Sequence, residues 1–235
     1  MSNLPSHPED VPYNLLPLSG MRRIISQRMS QSVREAPHFY LALQADMSEV
    51  VNLRQSLKAG GAGDISFNDI LLKAVALALR EQPRMNCSFA PEGIRQFKEV
   101  HLGFVVAVQE GLVVPVLRNA DRKKLAEIAA EVKQLAEQAR AGRLVARASV
   151  GGTFTVSNLG MFGVDDVLPI INPPQAGILG VGAIKEAPLA QEGQVVVKPM
   201  VELWLGCDHR AVDGVIGAQF LGKLKEILQQ PEQIS

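Results

Sequence analysis

The chain has 235 residues, 47% of them hydrophobic, and its 24 basic side chains balance its 24 acidic ones. That length suits one large domain or two small ones with a substantial core, and zero net charge gives no global pull toward nucleic acid or membrane. Two distant cysteines, Cys87 and Cys207, argue against a disulfide scaffold or a metal cluster, and no apolar run reaches the roughly 20 residues that span a bilayer.

Residues 1–17 carry four prolines and little periodicity, so an extended arm is expected ahead of a core domain at 18–235. Met21, Ile24, Ile25, Met29 and Val33 form a helical stripe beside Arg22, Arg23 and Arg28, and Ala36-Pro37 should end that helix. His38 to Ala45 alternates as a strand. Ser48 is placed to cap a helix to about Lys58, followed by a glycine-rich loop at residues 60–63. Ser66 and Asp69 have the spacing of a capping box, and the segment Ile70 to Leu79 is apolar nearly all round apart from Lys73, which predicts a buried helix. Asn86–Ala90 and Ile94–Phe97 read as a hairpin; His101–Val108 and Leu112–Leu117 read as two strands joined at residues 109–111. A long helix is expected from Asn119-Ala120-Asp121, with Leu125, Ile128, Val132, Leu135 and Ala139 inward and the pairs Lys123/Glu127 and Lys133/Glu137 on its wet side. The last helix should run from about Ile216 to Leu228, and Pro231 should stop it.

Two stretches carry chemistry. Gly151 to Gly160 alternates like a strand, which puts Thr153, Thr155 and Ser157 on one face. Spacing alone favours a plain solvent-facing polar row, and without a Gly-x-Ser-x-Gly elbow a nucleophilic serine is not expected. The second stretch runs from Cys207 to Gly214, after the apolar run Val201 to Leu205. His209 sits there at a strand end, where a scaffold can fix the ring while one edge stays open, as a general base needs. Cys207, two residues earlier, offers covalent acyl transfer as an alternative, although a lone cysteine is usually a small buried hydrophobe. His38 and His101 could line a substrate passage or serve as satisfied strand histidines.

Asp208-His209-Arg210-Ala211-Val212-Asp213-Gly214 resembles the His-x-x-x-Asp-Gly signature of chloramphenicol acetyltransferases, in the form found in acyltransferase cores of 2-oxo acid dehydrogenase complexes. The segments 17–25, 36–41 and 111–121 look like further blocks of that family. Residues 151–163, followed by Ile170-Ile171-Asn172-Pro173-Pro174-Gln175, are most similar to its acetyl-transferring members. The resemblance begins at about Pro17 and continues almost to the end.

It implies an α/β fold of the chloramphenicol acetyltransferase type, a single domain with a large mixed sheet packed against helices. The implied activity moves an acyl group, here acetyl, between a dihydrolipoyl thiol and coenzyme A without a metal. His209 would be the base, and the Ser157 hydroxyl would donate to the tetrahedral intermediate, with Thr155 as the fallback if the register is shifted by two. Asp213 would hold the loop through an arginine, with Arg22, Arg23 and Arg28 as candidates. The implied partners are other copies of the chain in a trimer with active sites between subunits, a lipoyl domain, and the decarboxylase and dihydrolipoamide dehydrogenase of a pyruvate dehydrogenase complex. No nucleic acid or membrane partner is expected, and the location would be cytoplasmic in a bacterium or the mitochondrial matrix in a eukaryote. The lipoyl and subunit-binding modules that precede this core in the family are not in the sequence, so they belong to another chain or the sequence is a catalytic fragment. A stand-alone acetyltransferase and a non-catalytic scaffold are the alternatives. In the family, trimers join into cages through an apolar C-terminal tail. Ile234 is the one such anchor after Pro231, so a robust trimer with weak association between trimers is expected.

Overall fold

A computed structural model describes residues 11–61 and 63–234. Along the chain come α1 (Gly20–Glu35), β1 (His38–Asp46), α2 (Ser48–Ala59), α3 (Phe67–Glu81), β2 (Cys87–Ala90), β3 (Gly93–Gln96), β4 (Leu102–Phe104), β5 (Val106–Val108), β6 (Gly111–Val113) and β7 (Val116–Leu117). They are followed by α4 (Leu125–Arg140), β8 (Phe154–Asn158), β9 (Gly177–Val181), β10 (Lys185–Gln191), β11 (Gln194–Asp208) and α5 (Gly214–Gln229). Seven strands form one mixed sheet in the order β1-β11-β9-β8-β4-β7, with β10 pairing to the first half of β11. The neighbours β4, β8 and β9 run parallel, and the other pairs are antiparallel. The fold is thus the mixed α/β architecture, a large sheet packed against helices, that the resemblance implies.

The core lies between the sheet and α3, α4 and α5. The segment from Ile70 to Leu79 is buried on every side, as its all-round apolar sequence requires, and its start is fixed by the reciprocal capping box of Ser66 and Asp69. Lys73 is tolerated because its ammonium donates to the carbonyls of Asp121 (2.9 Å) and Lys123 (2.6 Å), and burial lowers its pKa from the ordinary value. Phe154 packs on Phe220 of α5 with ring centroids 5.5 Å apart. Strand alternation then turns Thr153, Thr155 and Ser157 to the face away from the helices.

That second face is crossed by residues 163–176, which lie directly on β9. A Cβ on Gly180 would meet the Val167 carbonyl at 2.1 Å, and one just beyond the strand on Gly182 would meet that of Asp165 at 1.8 Å, so only glycine permits the crossing. The segment is tied down from α1 and β1, where Ser32 Oγ donates to Ile171 O (2.7 Å), Arg28 to Pro173 O (2.6 Å) and Tyr40 to Pro169 O (3.2 Å). It leaves Leu168 and Ile170 exposed, alongside Met161 and Phe162 just before it.

Several boundaries differ from the sequence expectation, each for a local reason. The strands expected at 101–108 and 112–117 each break in two. β4 and β7 join the main sheet, whereas β5 and β6 pair only with each other, in line with Pro115, which has no N–H to continue a ladder. The helix expected from Asn119 starts instead at Leu125, because Asn119 is left-handed (φ 50°) and Glu127 turns back to accept from the Lys124 N–H. Neither of the expected i,i+4 ion pairs forms among the described residues; Lys123 pairs with Glu131. Ser48 is the first residue of α2 rather than its cap, and donates its N–H and hydroxyl to Asp46. α5 begins two residues earlier than expected, at Gly214. Of the expected arm, residues 1–10 lie outside the described residues, and residues 11–17 are exposed and belong to no helix or strand.

Candidate active site

His209 follows the last residue of β11. Its N–H donates to Pro37 O (3.0 Å), which fastens the turn to the residue before β1. β1 and β11 pair so that Phe39 stands opposite Cys207, and the Phe39 ring supports the imidazole at a centroid distance of 4.6 Å. The residue is exposed, and neither ring nitrogen has a hydrogen-bond partner among the described residues. This leaves a fixed ring with free nitrogens.

The turn itself is built on Asp208. Its carbonyl accepts from Ala211 and Val212, and its buried carboxylate takes the Arg210 guanidinium through both Nε and Nη2. The hydrogen bond to Asp208 raises the Arg210 pKa from its ordinary value. The same guanidinium lies over the Phe89 ring of the β2–β3 hairpin at 4.4 Å. Sequence reasoning passed over this brace and Phe39. The Asp-x-Arg spacing around His209 was the available signal for the brace, whereas the Phe39 contact depends on strand register.

Asp213 caps α5, accepting from the Ile216 N–H at 3.0 Å. The arginine partner expected for it is not found among the described residues. Arg28 is taken by Pro173 O, and Arg210 by Asp208. Within one chain the Asp213 carboxylate closes a helix N-terminus instead.

Ser157 lies near the end of β8, half-buried, with no hydrogen-bond partner for its hydroxyl among the described residues. Thr155 is different. It is buried and donates to Gln175 Oε1 at 2.6 Å, so its hydroxyl is committed to holding residues 172–175. Thr153 is likewise spent on His101, whose N–H and carbonyl it engages.

Cys207 is buried, and burial above all, then the charges of Cys87 and Asp208, push its thiol up to about 12. A thiol that stays protonated makes a poor acyl carrier. His38 uses both ring nitrogens, Nδ1 toward Ala36 O (2.7 Å) and Nε2 to accept from Ile171 N (3.1 Å). His101 accepts from Asn119 N through Nδ1 and faces Glu99 with Nε2. Both are satisfied structural histidines.

Within one chain Ser157 and His209 stand apart. Ser157 is level with Gly180 of β9, and Gly180 with Trp204 of β11, five residues before His209. At about 3.4 Å per residue this is roughly 17 Å along the strands, before the sideways step across the sheet. At the C-terminal ends of β8 and β9 a cavity of about 510 Å³ opens, lined by Leu71, Asn158, Met161, Ile184 and Val201. Arg54 stands at it, held over the Phe67 ring at 4.8 Å. Among the described residues no cluster of side chains could hold a metal ion, and no helix is long and apolar enough to cross a membrane.

Comparison with known proteins follows the same lines. The dihydrolipoyllysine-residue acetyltransferase component of the pyruvate dehydrogenase complex from Rickettsia bellii is 37% identical over 96% of this chain and 54% of its own length. The mitochondrial counterpart from Schizosaccharomyces pombe is 41% identical over 94% of this chain and 47% of its own. The chain therefore spans about half the length of these curated relatives. Among solved structures, the cubic core of a pyruvate dehydrogenase multienzyme complex superposes with a TM-score of 0.92 at 34% identity, covering 100% of this chain and 99% of that one. The Azotobacter vinelandii dihydrolipoamide acetyltransferase, studied for the roles of a serine, a histidine and an asparagine in its mechanism, gives 0.92 at 35% over the same shares. A chloramphenicol acetyltransferase shares the fold, with a TM-score of 0.53 at 16% identity over 86% of this chain and 94% of its own. The family model for the catalytic domain of 2-oxoacid dehydrogenase acyltransferases matches residues 11–235, and with the relatives' identity it establishes that this chain belongs to that family.

Proposed function

We propose that the chain transfers an acetyl group between a dihydrolipoyl thiol and coenzyme A, as the core acyltransferase of a pyruvate dehydrogenase complex. The observation that carries this reading is the pair of uncommitted groups, the His209 imidazole and the Ser157 hydroxyl, held at two separated places on one sheet. In the Azotobacter protein the serine, histidine and asparagine occur in the same order and at the same chain separations as Ser157, His209 and Asp213. That correspondence supports these three residues as the site. An asparagine in the place of Asp213 also fits a capping role, since either side chain can accept from the helix N–H groups.

A coenzyme A thiol of ordinary pKa near 8.5 is mostly protonated at neutral pH. A His209 ring nitrogen takes its proton as the sulfur attacks the acetyl-lipoyl thioester carbon. The former carbonyl oxygen then carries negative charge, and the Ser157 hydroxyl donates a hydrogen bond to it, a contact that typically stabilises the transition state by about 3–4 kcal/mol. Collapse breaks the bond to the dihydrolipoyl sulfur, which recovers the proton from His209. Acetyl-CoA and the dithiol leave, with no oxidant or metal entering the balance. The cavity at the end of β8 suits the pantetheine arm along its apolar wall, with Arg54 toward the phosphates. The lipoyl group would arrive on a separate domain or chain.

A separation of roughly 17 Å rules out one chain supplying both groups to one thioester. The reading therefore requires His209 of one copy to face Ser157 of another, in a homotrimer. Exposed apolar side chains at Leu15, Leu16, Met161, Phe162 and Leu168 support such contacts, with the arm before α1 reaching a neighbour. The further partners would be the decarboxylase and the dihydrolipoamide dehydrogenase, in a bacterial cytoplasm or a mitochondrial matrix. Complementation tests the proposal. His209→Ala and Ser157→Ala proteins should each be strongly impaired with dihydrolipoamide and acetyl-CoA, and activity should rise when the two are co-assembled. Failure of the mixed trimers to recover activity would overturn the shared site.

A further inference from the structure

We infer that the groove between α4 and residues 143–150 is a second ligand site, built for a nucleoside phosphate and separate from the coenzyme A cavity. The groove has a volume of about 870 Å³, and three guanidinium groups line it, those of Arg118, Arg143 and Arg147. Arg118 is fixed in place, since its Nη2 donates to the carbonyls of Arg147 (3.2 Å) and Val150 (3.0 Å). Its Nε and Nη1 have no partner among the described residues. Gly151 lies beside this guanidinium and turns the chain with a left-handed backbone (φ +78°), a conformation that favours glycine. Neither Arg143 nor Arg147 makes a side-chain hydrogen bond or ion pair among the described residues. The one lining carboxylate, Glu131, is taken by Lys123.

Three cations thus share one concavity whose one lining carboxylate is paired with a fourth, although the whole chain is neutral. Like charges held together without a free carboxylate raise the local potential and favour an anion. Guanidinium is the group whose donor fork matches phosphate oxygens in pairs. Between the arginines the walls are apolar, from Val116, Leu135 and Val145, which suits a planar base more than a bare inorganic ion. The volume lies within the range of about 300–1,000 Å³ usual for small-molecule sites. The groove adjoins the edge strand β7 and the glycine pair that leads into β8, whereas the proposed coenzyme A cavity opens at the far end of β8. Gly151 and Asn158 are seven residues apart, roughly 20 Å of extended chain.

Calorimetric titration of the intact protein with ADP at low ionic strength tests this without reference to catalysis. Saturable binding is expected, weakening as salt is raised. It should fall by about tenfold or more in the Arg143→Glu, Arg147→Glu double variant, given the usual strength of hydrogen bonds to charged groups. Both side chains are exposed, and an unchanged circular dichroism spectrum would establish that the variant folds; the Gln, Gln variant should show a smaller loss. The KM for coenzyme A should stay within about twofold in both variants, a change of only a few tenths of a kcal/mol. Three results would overturn the inference. One is no saturable ADP binding, or binding that survives both substitutions. Another is a KM for coenzyme A that rises as ADP affinity falls, which would make the groove part of the coenzyme's own site. The third is equal or tighter binding of a polyglutamate peptide, which would indicate a protein-docking surface.

Discussion

The imidazole of His209 rests on the ring of Phe39, with centroids 4.6 Å apart and planes inclined by 50°. One ring comes from the turn after β11 and the other from β1, so strand pairing sets the orientation of the imidazole. His209→Ala should lower turnover by roughly 10²-fold or more, as loss of a general base does. Phe39→Ala should lower kcat by a smaller factor and leave KM nearly unchanged, because it frees the ring without removing a substrate contact. Steady-state kinetics on both variants checks this; a Phe39 effect confined to KM would make that residue part of the binding surface.

Ser157 and Thr155 share a face of β8, yet only Thr155 has its hydroxyl engaged among the described residues. Ser157→Ala should cut kcat more than it changes KM, since its hydrogen bond strengthens as charge develops. Thr155→Val should act on the fold. It leaves Gln175 Oε1 without its buried donor, at a cost of about 1–3 kcal/mol, seen as a lowered denaturation midpoint. The opposite pattern would mean that Thr155 is the catalytic hydroxyl.

The local frame of this candidate site was legible in the sequence, while the roles given to its residues came from the family resemblance. Residues 208–214 form one turn and one helix cap, and the alternation in 151–160 fixes which hydroxyls share a face. Long-range register was not legible. That Ser157 lies level with Trp204 follows from two ladders through β9, and no spacing in the sequence encodes it. The need for glycine at 180 and 182 is set by the crossing segment above them, a long-range contact that no local pattern encodes. Boundaries shifted where a backbone conformation overrode the expected pattern, as at Asn119, whose positive φ delays the start of α4 to Leu125.

The cysteines give a pH signature. Burial pushes Cys207 up to about 12 and Cys87 up to about 11, from an ordinary value of 9.0. Between those values the unfolded chain has lost thiol protons that the folded chain keeps. Their contribution to stability is therefore complete below about pH 9 and declines as pH rises toward 11. A Cys207→Ala variant should show a shallower fall of Tm over pH 9–11 than the parent, whatever its Tm at neutral pH. The native protein should resist iodoacetamide at pH 8, and Cys207→Ser should remain active. Rapid alkylation with loss of activity would revive the covalent alternative.

Asp213 is a helix cap in this structure, which separates two readings of the same residue. Asp213→Asn preserves an acceptor for the Ile216 N–H and should change stability little, whereas Asp213→Ala should cost about 0.5–2 kcal/mol. Thermal denaturation of the two variants decides between a cap and an ion pair. If an arginine of another subunit held this carboxylate, asparagine would be as damaging as alanine.

Ile234 turns the expectation about assembly into a sharper test. From the sequence it was the one apolar side chain after Pro231 able to anchor a neighbouring trimer. In the structure it is fully buried in its own chain, where the turn at Pro231–Gln233 packs against α2 and α5. A side chain cannot fill its own core and a neighbour's pocket at once. Ile234→Ala should therefore behave as a core substitution, costing about 2–5 kcal/mol and lowering Tm. The mass measured by light scattering at micromolar concentration should remain that of a trimer in both proteins. An anchor would give the reverse pair of results, a larger closed assembly in the parent that falls to trimers in the variant with little change in Tm. That outcome would mean the tail leaves its own core on assembly, and that the burial seen within one chain is exchanged for burial between trimers.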